Sequence, residues 1–180
     1  MSRKIAPRPI SPAEFAEFGD VVAARGTPDM IINEGRCARH HDLARLDVAQ
    51  GRIGLSIFDS APVRLPYQFD LVERHPLGSQ TFVPMNEAGF LVIVARDENG
   101  RPGPPCAFLT YPGEAVNLLQ GTWHGVLTPL HSPGRFTVID RIGPGENLEE
   151  HRYPQAYTVV PPRAGGDVTL TPSHKENQAP

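Results

Sequence analysis

The sequence predicts an all-β protein, built as a sandwich or barrel of short strands. Short apolar runs rich in Val, Ile, Leu, Phe and Tyr recur along the chain, many of them about 8–12 residues apart. The 20 prolines and 17 glycines fall largely between these runs, as turns do in β proteins. Long segments of helical periodicity do not alternate with the strands, which argues against a parallel α/β fold.

One helix is expected, close to the N terminus. Ser11 is placed as an N-cap, Pro12 occupies the first helical position, and Glu14 completes a capping box. We expect this helix to be short and to end before Gly19. Strands are expected at residues 21–24, 53–58, 69–73, 80–83, 90–95, 107–111, 115–119, 123–127, 136–140 and 156–160.

The length of 180 residues suits one domain, expected at residues 1–160. Residues 161–180 are polar with few large apolar groups, so we expect a flexible tail or one draped over a partner. The strand before the tail, within residues 153–160, is a second candidate for crossing to a partner.

Composition excludes several classes of function. The net charge is −3 and no Lys/Arg cluster appears, so neither nucleic acid nor a charged membrane surface is indicated as a partner. The longest apolar run, residues 89–95, has the length of a strand, and the N terminus lacks an apolar signal segment. Cys37 and Cys106 are far apart and in no metal or redox spacing. We expect a cytoplasmic protein with reduced thiols.

A group of polar residues in the middle of the chain is the strongest candidate site. Glu73 and His75 are two residues apart near the end of a strand, so both side chains point to one face. A Pro-Leu-Gly turn follows, and Gln80 begins the next strand. The three side chains can therefore converge. The spacing resembles the first cupin signature, with glutamate in place of its first histidine and glutamine in place of its glutamate.

A second stretch carries a matching signature. An alternating strand from Gly113 leads to a glycine turn at Gly121 and then to His124. This resembles the second cupin signature in spacing, although Leu119 and Thr128 replace its proline and asparagine. The resemblance implies a cupin-like β-barrel, that is, a double-stranded β-helix or jelly roll, with the site in the barrel mouth.

Glu73, His75, Gln80 and His124 together provide one carboxylate, two imidazoles and one amide oxygen. Such a nitrogen and oxygen set can hold a divalent ion, but it does not select among Ni²⁺, Mn²⁺, Zn²⁺ and Fe²⁺. Because amides are weak ligands, Gln80 can equally bind substrate by hydrogen bonds. A metal-free polar pocket is the alternative.

The resemblance narrows to one family. Residues 73–85, Glu-Arg-His-Pro-Leu-Gly-Ser-Gln-Thr-Phe-Val-Pro-Met, resemble the central motif of the ureidoglycolate lyases. Residues 32–44, 113–117 with 123–124, and 138–141 resemble the same family in the same order. The resemblance implies a bacterial enzyme of allantoin and purine-nitrogen degradation that splits ureidoglycolate into glyoxylate and urea. It also implies a homodimer and a divalent metal, often nickel.

The reaction breaks a carbon–nitrogen bond and needs a base, an acid and a counter-charge for the substrate carboxylate. Without a metal, Glu73 or His75 is a candidate base. With a metal, both join His124 as ligands, and the base must come from elsewhere. His41 is then the candidate, with Arg39 on the same face as a carboxylate clamp. The alternative for this segment is a solvated loop.

Four other residues are candidates for the site, most of them with an alternative role. Arg141 is a candidate for binding the substrate carboxylate, with a salt bridge at the rim as the alternative. Its neighbour Asp140 could orient a histidine. Asn117 is a candidate donor to the ureido group, or it satisfies the backbone. Trp123 is expected to pack in the core or to line the pocket.

Two rival functions remain open. An amidohydrolase acting on the same compound would release ammonia, whereas a lyase would release urea. A non-catalytic cupin would bind a small organic acid without turnover. Neither a Gly-x-Ser-x-Gly nucleophile elbow nor a phosphate-binding loop is present in the sequence.

Overall fold

The computed structural model describes residues 2–162, and strands make up nearly all of their regular structure. The elements, in chain order, are β1 (Arg3–Ile5), β2 (Arg8–Pro9), α1 (Pro12–Phe15), β3 (Gly19–Val22), β4 (Met30–Ile32), β5 (Cys37–Arg39), β6 (Arg52–Asp59), β7 (Tyr67–Arg74), β8 (Gln80–Pro84), β9 (Phe90–Ala95), β10 (Cys106–Leu109), β11 (Ala115–Leu118), β12 (Trp123–His124), β13 (Thr128–Pro129), β14 (Arg135–Ile142) and β15 (Glu149–Val159). The expected tail lies, but for residues 161 and 162, outside the described residues.

The strands form two large sheets and one separate hairpin. The larger sheet has the order β1-β15-β7-β12-β9-β10-β2, with β13 paired to β9, and the smaller has the order β3-β11-β8-β14-β6. Strands β4 and β5 pair only with each other. This architecture confirms the predicted all-β, cupin-like fold.

The main core lies between the two sheets, because both contribute buried side chains to one cluster. Its members are Ile10, Phe15, Phe18, Phe82, Phe90, Val92, Val94, Phe108, Val116, Leu118, Phe136 and Val138. A second cluster covers the outer face of the larger sheet and includes Leu91, Ile93 and Trp123. Strand β9 is buried on both faces, which explains its unbroken apolar sequence.

The predicted helix is confirmed. The hydroxyl oxygen of Ser11 accepts a hydrogen bond from the backbone N–H of Glu14 at 3.3 Å, as an N-cap should. The helix is a single turn, and it places Phe15 in the main core with no exposed surface. There the Phe15 ring meets Phe108 edge to face, with centroids 5.5 Å apart.

Strands β1, β2, β4 and β5 have no counterpart in the sequence prediction, and two predicted strands differ clearly in extent. The strand expected at residues 123–127 ends at His124, before Gly125, where a side chain would press on Ile93, and β13 begins only at Thr128. Strand β15 begins at Glu149, well before the expected residue 156, and contains Pro154. The proline is tolerated because the pairing with β7 is irregular between Arg152 and Tyr157.

The strand expected within residues 153–160 is part of β15, which pairs inside the chain. It pairs with β7 over residues 149–152 and 157–159, and with β1 over residues 157–159. Crossing of this segment to a partner stays a prediction. Among residues 2–162, no helix is long and apolar enough to cross a membrane.

Replacing Phe108 with alanine is expected to destabilise the protein by about 3–5 kcal/mol, because it leaves a cavity in the main core next to Phe15. Chemical denaturation measures the change. Met85→Ala is the control, since that side chain is 55% exposed, and its effect should stay within about 0.5 kcal/mol. Equal effects of the two substitutions would contradict this assignment of the core.

Candidate functional site

The candidate site is built where the short strand β12 lies between β7 and β9. His124 is paired with Glu73 on one side and with Val94 on the other. Residues opposite each other in a sheet share a face. Val94 belongs to the main core, so Glu73 and His124 point into the sandwich. Trp123 points the other way, into the outer core, which confirms its predicted packing role.

The loop after β7, which carries the first cupin-like signature, is hydrogen-bonded to the loop before β12, which carries the second. His75 follows the end of β7, and its backbone carbonyl accepts a hydrogen bond from the Gly121 N–H at 3.0 Å. Gly121 has φ = +78°, a conformation that favours glycine. The Gln120 side chain donates to the carbonyl of Pro76 at 2.7 Å. These bonds bring His75 beside His124, with ring centroids 5.3 Å apart.

Both imidazoles are oriented by backbone carbonyls. Nδ1 of His75 lies 2.6 Å from the carbonyl oxygen of Asn147, and Nδ1 of His124 lies 2.9 Å from that of Gly125. A carbonyl can only accept, so each Nδ1 carries a proton, and the Nε2 atom is the one left to bind a ligand. Burial lowers the pKa of His124 to about 4, so that ring is neutral at pH 7.

Glu73 completes a group of three possible metal ligands. One ligand atom each from Glu73, His75 and His124 lie within 4.8 Å of one another. Burial raises the pKa of the Glu73 carboxyl group, with Glu150 adding to the rise and His75 opposing it. The cluster therefore combines two imidazoles, of which His124 is neutral at pH 7, with a carboxylate of increased basicity.

Gln80 faces the same interior. It is 6% exposed and lies on the same face of β8 as Phe82, whose ring is 6.4 Å from the His124 ring. Its amide nitrogen is 3.4 Å from a carboxylate oxygen of Asp140. Asp140 was expected to orient a histidine; the hydrogen bond found for it is to Gln80 instead.

Four buried polar atoms at this site have no hydrogen-bond partner among the described residues: Nε2 of His75, Nε2 of His124, Oε1 of Gln80 and Oδ1 of Asp140. All four are acceptors when the rings are neutral and the carboxyl group is ionised. Buried acceptors without donors are costly, and a bound cation would satisfy them. The residues present thus fit a divalent metal.

A network on the outer face supports the cluster from behind. The Arg74 guanidinium lies 4.5 Å from the centroid of the Trp123 ring and forms ion pairs with Asp97 at 2.9 Å and Glu149 at 2.6 Å. The indole N–H of Trp123 also donates to Asp97. Because Arg74 lies between Glu73 and His75, and Trp123 precedes His124, this network holds the strands that carry the site.

Asn117 lies on the wrong face for the role of ureido donor. Its side chain is fully buried on the outer side of the smaller sheet, where it contacts Thr81, Asp20 and the backbone of Arg45. Strand alternation explains the placement, because the neighbouring residues Val116 and Leu118 point into the main core. The alternative function, satisfying the backbone, matches the contact with the Arg45 carbonyl.

Arg141 also points away from the cluster. Asp140 faces Gln80, so its neighbour Arg141 must face the opposite side of β14. The Arg141 guanidinium donates to the carbonyls of Gln50, Gly143 and Pro144 and is buried. In the described part of the chain it forms no ion pair, so neither the carboxylate clamp nor the rim salt bridge is seen.

Arg39 and His41 lie on the separate hairpin. The Arg39 guanidinium is 2.8 Å from Nδ1 of His41, which confirms that the two share a face. Both side chains are exposed, and the backbone N–H of His41 donates to Asp29. The hairpin strands pair with neither large sheet, so the structure does not bring these residues into the cluster. Their predicted catalytic and substrate-binding roles remain a prediction.

Asn147 is the site residue that the sequence did not indicate. Its carbonyl holds His75, and its side-chain oxygen accepts from the backbone N–H of Leu77 at 2.8 Å. It therefore fastens both ends of the turn after β7. A backbone acceptor carries no residue-type signal, and only the fold reveals it.

In metal-free protein, His124 should make stability depend on pH. Its pKa falls from 6.5 to about 4 on folding, so between these values the unfolded chain binds a proton that the folded chain does not. Stability should drop as pH falls through this window, by at most about 1.4 kcal/mol per pH unit. His124→Phe should remove this slope, and His131→Phe, at an exposed position, should keep it. Denaturation of chelator-treated protein at several pH values measures both, and an unchanged slope in His124→Phe would contradict the prediction.

Comparison with known proteins identifies the family of this chain. The family model described as ureidoglycolate lyase matches residues 2–160. The ureidoglycolate lyase of Rhodobacter capsulatus is 55% identical over 147 residues, covering 81% of this chain and 91% of the relative. Ureidoglycolate lyase 2 of Rhizobium meliloti is 49% identical, covering 84% and 94%, and the Chelativorans sp. enzyme is 47% identical, covering 87% and 96%. The chain belongs to the ureidoglycolate lyase family.

Proposed function

We propose that this protein is a lyase that splits ureidoglycolate into glyoxylate and urea, in the degradation of allantoin and purine nitrogen. The observation that carries the proposal is the buried group of acceptors at Glu73, His75 and His124 in a chain of this family. The relatives that match over most of their length carry the same activity in their names.

The reaction consumes no water. The hydroxyl group of ureidoglycolate loses its proton, the carbon–oxygen double bond forms, and the carbon–nitrogen bond breaks. The departing nitrogen takes up a proton and leaves as urea. The enzyme must therefore accept one proton, return one, and stabilise the charge on the hydroxyl oxygen.

The residues of the cluster divide these tasks. His75 and His124 would hold a divalent metal through Nε2, together with one oxygen of Glu73 and the amide oxygen of Gln80. When bound, such an ion lowers the pKa of a hydroxyl group and supplies positive charge for the substrate carboxylate. In a metal-free site, Glu73 would accept the hydroxyl proton and pass it to the leaving nitrogen, and its raised pKa suits this exchange, because a base works best near the operating pH. With Glu73 bound to a metal, the base must come from elsewhere, and His41 is the candidate.

A homodimer is part of this proposal. Strand β6 is an edge of the smaller sheet and exposes a row of apolar side chains, Ile53, Leu55 and Ile57. An exposed apolar edge strand favours pairing with another chain. Antiparallel pairing of β6 with its own copy about Leu55 would match this row with itself, so the surface is self-complementary. We also place the protein in the cytoplasm, in keeping with its two free cysteines.

Purified enzyme given ureidoglycolate should release urea and glyoxylate in equal amounts, without ammonia. Chelation should abolish turnover, and readdition of Ni²⁺, Mn²⁺, Zn²⁺ or Fe²⁺, each tested alone, identifies the ion that restores it. His124→Ala should lose both metal and turnover. Glu73→Gln should lower kcat by about 10²–10⁴-fold, since it removes a metal ligand or, in a metal-free site, the proton acceptor. Glu149→Gln, on the outer face, serves as the control.

Three results would contradict parts of this proposal. Immediate ammonia without urea would indicate an amidohydrolase. Glyoxylate binding without turnover would indicate a non-catalytic cupin. Full activity after complete metal removal would exclude the metal while leaving the lyase reaction intact.

Leu55→Asp should convert the dimer into a monomer, because it places a charge at the centre of the proposed β6 pairing. Light scattering after size exclusion at micromolar concentration measures the mass. Leu148→Asp is the matched control, since Leu148 is 50% exposed but lies outside β6, and it should remain dimeric. A monomeric wild-type protein would refute the dimer.

A further inference from the structure

Asp140 is a half-buried polar residue with one buried carboxylate oxygen, and the proposed reaction has no task for it. It lies on β14 at the position after Ile139, which pairs with Thr81 of β8. This register brings Asp140 opposite Gln80, inside the sandwich. The distance from the Gln80 amide nitrogen to the nearer carboxylate oxygen of Asp140 is 3.4 Å, and the other carboxylate oxygen is buried without a partner.

The contacts of the Asp140 carboxylate do not explain it as a group that stabilises the fold. Within residues 2–162 it forms no ion pair. One hydrogen bond to a neutral amide does not compensate for the hydration that the carboxylate loses. Enclosing one carboxylate oxygen without a hydrogen-bond partner costs stability, so it points to a role other than holding the fold. The adjacent Arg141 does not relieve the cost, because its guanidinium is bound to three backbone carbonyls on the opposite face.

The amide of Gln80 has two ends of similar shape and opposite polarity. With its NH₂ group turned to Asp140, its Oε1 is left buried without a partner among the described residues, as are the Nε2 atoms of His75 and His124. Turning the amide around would set Oε1 against a carboxylate oxygen, which is repulsive. It would also present NH₂ donors to a site made of acceptors.

We propose that Asp140 is a positioning residue that orients the Gln80 amide so that its oxygen faces the metal-binding cluster. This inference rests on the proposed metal centre. An ionised aspartate can only accept hydrogen bonds, so it admits one orientation of the amide. Asparagine has the same shape but can donate or accept, and it would admit both. Groups that orient a metal ligand typically contribute about 10–100-fold to metal affinity.

The test is a double-mutant cycle on metal affinity, with Ni²⁺ alone as the probe and calorimetric titration as the measurement. Asp140→Asn and Gln80→Leu should each weaken Ni²⁺ binding by about 10–100-fold. The double variant should bind no more weakly than Gln80→Leu, because Asp140 acts through Gln80. Asp59→Asn, which removes an exposed carboxylate paired with Arg135, should bind as the wild type does.

Thermal unfolding of the metal-free variants separates positioning from a structural role. Asp140→Asn removes a half-buried charge, so its Tm should equal or exceed that of the wild type. Weaker Ni²⁺ binding with undiminished Tm supports the proposal. Wild-type affinity in Asp140→Asn, or losses that multiply in the double variant, would overturn it.

NMR of the Gln80 side-chain amide in metal-free protein tests whether Asp140 orients this group. In the wild type we expect two well-separated NH₂ protons that exchange slowly, and in Asp140→Asn we expect this protection to be lost. If the wild type binds no Ni²⁺, the metal centre is refuted, while the NMR result still supports or overturns the orienting role of Asp140.

Discussion

A strand of only two residues, Trp123–His124, is hydrogen-bonded between β7 and β9, and this pairing turns neighbouring side chains to opposite sides of one sheet. His124 enters the sandwich beside Glu73, while Trp123 joins the outer core and the Arg74 network. The site and its support therefore share the same backbone. A shift of one residue in this register would exchange them and destroy both.

Burying the cluster costs free energy, and the surrounding structure offsets this cost. Burial disfavours a charged imidazolium, which is why the pKa of His124 falls, and it leaves the Nε2 atoms of His75 and His124 without partners among the described residues. Backbone carbonyls of Asn147 and Gly125 hold the rings in one tautomer. Apolar cores on both faces of the larger sheet supply the stability that allows such a group to persist.

The sequence predicted the all-β fold, the capped helix and the meeting of Glu73, His75 and His124. These predictions depend on local rules, since side chains two apart on a strand share a face and a glycine permits the turn before His124. Asn117 and Arg141 were candidates for the site, and both side chains point away from the cluster. Each lies next to an inward-facing residue, and which of two neighbours faces inward is decided by pairing with a distant strand.

The sequence by itself determined which residue types are available at the site, their spacing and the family to which the chain belongs. Only the tertiary structure decided which acceptors are left without partners, that Asp140 faces Gln80, and that Asn147 holds His75. The physical reason is the sequence separation over which each interaction acts. Strand alternation and turn chemistry act over a few residues, whereas burial and cross-sheet contacts join residues more than 50 positions apart.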